Sequence, residues 1–104
     1  MASTRLDTLK SMVEQNPTDS FARYGLAMEY RNTGDPEGAL REFHVLMAAN
    51  PEYAPTYFHC GQTLERVDRI EDAREVYRKG IEVTTRSGDL HARSELQGAL
   101  DMLA

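Results

Sequence analysis

The 104-residue chain is as informative in what it lacks as in what it holds. A single cysteine, Cys60, excludes an internal disulfide and any Cys-x-x-Cys metal or redox site, which agrees with a reducing compartment. No run of about 18 apolar residues is present to span a bilayer, and Met1 to Lys10 has no apolar core of a secretory signal. A cytoplasmic protein with no membrane partner is therefore expected. Basic residues are few, 12 against 17 acidic, for a net charge of −5, and the longest basic cluster is Arg78-Lys79. Phosphate neutralisation needs clustered Lys and Arg, so a nucleic-acid partner is disfavoured. No Gly-rich phosphate loop, no HExxH and no GxSxG occurs, so the chain is expected to be no enzyme and to need no cofactor. His44, His59 and His91 are never paired at i, i+4 spacing, and the adjacent His59 and Cys60 point about 100° apart on a helix, so no metal site is expected.

What is present is a repeat. Asn16-Pro17 returns as Asn50-Pro51, 34 residues later. Between them stand Leu26, Ala27, Tyr30, Gly34, Ala39 and Phe43, and one period on stand Cys60, Gly61, Leu64, Asp68, Ala73 and Tyr77, so size and polarity recur even where identity does not. An apolar content of 40% with 28% charged residues suits one compact domain over residues 1–104.

The local patterns are helical throughout. Leu6, Leu9, Met12 and Val13 form one stripe over residues 3–15, closed by Asn16-Pro17, and align one period back from Leu40, Phe43, Leu46 and Met47. Thr18 or Asp19 is suited to cap a helix running to about Thr33. Gly34 ends it, and Asp35-Pro36 starts the next, which runs to about Ala49. A second pair follows from near Glu52 to Val67 and from Ile70 to Thr85, with Asp68-Arg69 as a turn without glycine. Thr85 stands where a third proline would fall, and Gly88-Asp89 introduces a last helix over about Leu90 to Leu103.

This 34-residue period with its small and aromatic positions resembles the tetratricopeptide repeat. The resemblance covers the chain from its first helix to about Thr85. It implies an all-α, right-handed α-solenoid of antiparallel helix hairpins with about six helices: a half-repeat (3–15), repeat 1 (18–49), repeat 2 (52–85) and a capping helix (89–103). Stacked repeats need polar covers at both ends, which the terminal helices supply. The expected core is Leu6, Leu9, Leu26, Tyr30, Ala39, Phe43, Leu46, Cys60, Gly61, Leu64, Ala73, Tyr77, Ile81, Leu96 and Leu100. Cys60 falls where the family buries an apolar residue.

In the family the first helices of successive repeats line a concave groove. Carried over by register, the groove positions are Phe21, Tyr24, Met28, Arg31 and Asn32 in repeat 1, and Pro55, Phe58, Gln62, Glu65 and Arg66 in repeat 2, with His59 at the edge. Aromatic anchors with a polar rim suit a peptide or helix of a partner protein. The clamp of Lys, Asn and Arg with which some members hold a C-terminal carboxylate is missing, since Tyr24, Met28, His59, Asp89 and Arg93 stand at its positions. The resemblance thus implies a non-enzymatic protein–protein interaction module. The alternative is a structural homo-oligomer, a homodimer included, that self-associates through the same surface or a solenoid end. Glu71, Asp72, Glu75 and Glu82, interleaved with Arg74, Arg78 and Lys79, read as a solvated helix face.

Overall fold

The computed structural model describes residues 4–103, and every regular element among them is an α-helix. These are α1 (Arg5–Gln15), α2 (Ser20–Asn32), α3 (Pro36–Ala49), α4 (Pro55–Arg66), α5 (Ile70–Ser87) and α6 (Leu90–Asp101). The start of the half-repeat range, Ser3, lies outside the described residues.

Side chains fix most of the helix starts. Thr4 closes a reciprocal capping box with Asp7 at α1. Asp19, Asp35 and Asp89 accept the backbone N–H of Ala22, Gly38 and Ala92, each cap contributing about 1 kcal/mol. Asp19 is the cap of α2, because the Thr18 hydroxyl donates to Asn16 Oδ1 instead. Helix ends use left-handed residues: Gly34 (φ 84°), Gly88 (φ 80°) and, in the turn without glycine, Asp68 (φ 63°).

Three boundaries differ from the sequence reading. α4 begins at Pro55 rather than near Glu52, since a proline is suited to the first helical position and supplies no N–H to an earlier turn. α5 continues to Ser87 because Thr85, unlike Pro51, leaves the backbone N–H in place. α6 is regular only to Asp101.

The chain divides into two compact units, one ending at Asn50 and one beginning at Pro51. In the first, α1 and α2 run antiparallel, with Arg5 facing Glu29 and the Leu9 side chain against Gly25. α2 and α3 do the same, with Arg23 Nη1 donating to Glu42 Oε1 at 2.6 Å and Asn50 Nδ2 donating to Ser20 Oγ at 3.3 Å. Leu9, Val13, Ala22 and Leu26 form one buried cluster, with Leu6 and Tyr30 packed on it, and Ala27, Ala39, Leu40, Phe43 and Leu46 are buried too. In the second unit a Cβ on Gly80 would stand 2.6 Å from Tyr57 Cβ and 2.9 Å from Leu96 Cδ1, so α5 touches both α4 and α6 closely there. Tyr57, Cys60, Leu64, Ala73, Tyr77, Val83 and Leu96 are its buried apolar residues, each large one contributing about 1.5–3 kcal/mol.

Leu6, Tyr30, Ile81 and Leu100 are half-buried rather than fully enclosed. Leu6 lies on α1 and Leu100 on α6, the first and last of the described helices. The Tyr30 ring is covered in part by Lys10, whose Nζ stands 5.7 Å from its centroid.

Candidate functional site

Four of the five groove positions expected on α2 share one stripe, Phe21, Tyr24, Met28 and Asn32, at the three- and four-residue spacing of one helix face. Two small residues beside them, Ala22 and Gly25, let α1 come close, and a Cβ on Gly25 would already stand 3.1 Å from Leu9 Cδ2. Helix backbones that approach over small residues leave a furrow where longer side chains flank them.

The furrow is a cleft of about 220 Å³ between α1 and α2. Leu9 and Ala22 are its buried residues, and Tyr24, Gly25 and Met28 are half-buried. Met12 and Phe21 are exposed beside it, Phe21 to 76%. Polar residues are present as well: Asn32, and Arg5 with its Nε 3.5 Å from Glu29 Oε1. Arg31, the fifth expected position on α2, does not line the cleft.

The residues that the sequence reading did not name here are Arg5, Leu9, Met12, Ala22, Gly25 and Glu29. Register arguments assign groove positions to first helices, whereas three of the ten lining residues, Arg5, Leu9 and Met12, belong to α1. The stripe of Leu9 and Met12 was the available signal.

On α4 the expected positions form a second strip. Phe58, His59, Gln62 and Glu65 are half-buried and Arg66 is exposed. The Phe58 and His59 rings meet edge to face, centroids 5.3 Å apart and planes at 88°. The Glu65 carboxylate accepts a hydrogen bond from the Tyr77 hydroxyl, so this acid is turned toward α5.

Burial shifts two titratable groups of the second unit. Cys60 is wholly buried, and that burial pushes its thiol up to about 12, so no thiolate nucleophile exists near neutral pH. Burial also raises Tyr57, with the Arg86 charge opposing and Glu82 adding, and its hydroxyl donates to the Pro51 carbonyl at 2.5 Å. Among the described residues no group of three or more His, Cys, Asp or Glu side chains is placed to hold a metal ion. No described helix is long and apolar enough to cross a membrane.

No family model matches the chain. A tetratricopeptide repeat domain protein of Salinibacter ruber, known from a crystal structure, is 40% identical, with 82% of this chain and 94% of that one covered and a TM-score of 0.76. A TPR repeat-containing protein of Pseudomonas aeruginosa is 22% identical over 91 residues, 88% of this chain and 87% of its own. A protein of Bordetella parapertussis, known from a solution structure, shares the fold at a TM-score of 0.83 and 22% identity, over 98% of this chain and 89% of that one.

Proposed function

This chain belongs to the tetratricopeptide repeat family, a family of protein–protein interaction modules, and from that premise we propose that it is a non-enzymatic module holding a peptide or helix of a partner protein. The anchor site is the cleft between α1 and α2. The strip Phe58, His59, Gln62, Glu65 and Arg66 on α4 is a second contact surface of the same kind, and Arg31 adds a cation to the first. The cytoplasm is its compartment, in keeping with the free thiol of Cys60.

The observation that carries this reading is the size and lining of the cleft. About 220 Å³ falls below the roughly 300–1,000 Å³ of small-molecule and cofactor sites and is on the scale of one large side chain. An aromatic residue exposed to 76%, Phe21, beside an apolar recess with Arg5, Glu29 and Asn32 around it, supplies an anchor and a polar rim. Two methionines in the same lining, Met12 and Met28, adapt to the shape of an entering side chain.

The test is proximity labelling with wild type, Phe21→Ala/Met28→Glu and Phe58→Ala/Arg66→Glu, each checked by circular dichroism. Loss of the same partners in the first variant with helicity kept supports the cleft. A folded first variant that keeps every partner places the binding surface elsewhere.

A further inference from the structure

α6 begins as α2 does. Asp89 caps it through Ala92 N at 3.1 Å, as Asp19 caps α2 through Ala22 N at 3.1 Å. Counted from these caps, Arg93 matches Arg23, Leu96 matches Leu26, Gln97 matches Ala27 and Asp101 matches Arg31. The 34-residue period matches the same places with Tyr57, Cys60, Gly61 and Glu65 on α4. In both hairpins the second helix covers this stripe. Arg23 is bonded to Glu42 and Ala27 is fully buried, while Gly61 lies under the Tyr77 ring and Glu65 receives the Tyr77 hydroxyl. On α6 the stripe Leu90, Arg93, Gln97 and Asp101 is exposed, Leu90 to 70%. Among the described residues no second helix covers this stripe of α6.

α1 is the converse. Leu6, Leu9, Met12 and Asn16 match Leu40, Phe43, Leu46 and Asn50, so α1 has the register of a second helix, and among the described residues no first helix pairs with it. Met12 shows the gap. It is 43% exposed, whereas Leu46 is 1% exposed and Gly80, the third residue at this place, packs on Tyr57 of its own first helix.

We propose that α6 of one copy pairs with α1 of a second copy and completes a hairpin across the two chains. The contacts transfer from the hairpins already formed. Arg93 takes the place of Tyr57 over Met12, and the place of Arg23 opposite Thr8, which matches Glu42. Asp101 takes the place of Glu65 beside Leu9, which matches Tyr77, and Arg5 lies one helical turn before Leu9 on the same face. Opposite charges therefore meet at that end, and the largely exposed Arg5 is accessible for it. The apolar exposure of Met12 and Leu90 is covered in the same contact. The pairing is heterologous: one copy keeps a free α1 and the other a free α6, so association proceeds past the dimer unless these two ends close a ring.

Arg5 and Met12 also line the α1/α2 cleft, whereas Thr8 and Arg93 do not, so variants at the latter two test the pairing apart from peptide binding. Light scattering and sedimentation across about 10–300 μM read the average mass, a range set by micromolar association. Wild type grows in mass with concentration. Thr8→Arg, which puts a like charge against Arg93, and Arg93→Glu, which removes the arginine, each abolish the growth. An equimolar mixture of these two variants regains it, because the two altered ends attract. Thr8→Glu rebuilds the Arg23–Glu42 pair between chains and tightens association about twofold to fivefold. A wild type that is monomeric throughout overturns the pairing, as do Thr8→Arg and Arg93→Glu variants that associate like wild type. Association abolished by Phe21→Ala but not by Thr8→Arg also overturns it, placing self-contact in the cleft.

Discussion

The ring of Tyr77 on α5 lies against the backbone of Gly61 on α4, and its hydroxyl is held by Glu65 one turn further along that helix. A Cβ at Gly61 would clash with the ring at Cε1 and Cζ, and the ring is fully buried and cannot swing away without breaking that bond. Gly61→Ala is therefore expected to cost about 1–3 kcal/mol through overpacking. Gly98→Ala runs the other way: no atom lies within 4 Å of the added Cβ, and alanine is the better helix former by about 0.5–1 kcal/mol. Urea midpoints moving in opposite directions check the pair. Equal shifts would refute the packing argument.

Asp68 occupies the left-handed place that Gly34 fills in the first repeat, φ 63° against 84°. An L-residue with a Cβ is strained there by about 1–2 kcal/mol, part of which aspartate recovers. Asp68→Gly relieves the strain but enlarges the unfolded ensemble, so a net gain of about 0.5 kcal/mol is expected. Gly34→Ala loses about 1 kcal/mol in the same assay, because alanine has no polar group to offset the conformation.

Arg23 and Glu42 bridge the first hairpin, their side chains 15% and 17% exposed. One period on, Tyr57 and Val76 occupy the same places, so the fold accepts an uncharged pair at this contact. Glu42→Ala or Arg23→Ala alone leaves a charge half-buried and is expected to cost about 1.5–3 kcal/mol. Arg23→Met with Glu42→Leu restores apolar contact and falls within about 1 kcal/mol of wild type. A double-mutant cycle with no coupling would show the bridge to be idle.

Much of this arrangement was readable in the sequence because it follows from spacing. Asn16-Pro17 and Asn50-Pro51 set the period, and Gly34 with Asp35-Pro36 forces a reversal between two amphipathic stripes, so six helices followed without any tertiary information. Long side chains and local packing were less legible. Register places Glu65 on the groove side of α4, yet its carboxylate reaches to the Tyr77 hydroxyl, a reach that spacing cannot encode. Val83 and Thr84 are buried, whereas the repeat register named Ile81 at this end of α5, which is only half-buried. The cleft was hidden for a similar reason: it depends on Gly25 admitting Leu9, a contact between a residue of the repeat and one of the half-repeat before it.

Cys60 supplies a pH signature of the second unit's core. Burial raises its thiol from an ordinary 9.0 to about 12, so the folded chain keeps the proton that the unfolded chain releases. The sign is therefore fixed: the thiol's contribution is complete below pH 9 and declines as pH rises toward 12. Once the unfolded thiol is ionised, the slope approaches about 1.4 kcal/mol per pH unit. Tyr57, also raised by burial, adds its own loss only above its ordinary value of 10.0. Cys60→Ala lowers stability by a constant amount through the cavity it leaves, about 1 kcal/mol, but flattens the decline between pH 9 and 10. Urea unfolding at pH 8.0, 9.0 and about 9.8 separates the offset from the slope, and a variant that keeps the wild-type slope would show that the thiol is not its source.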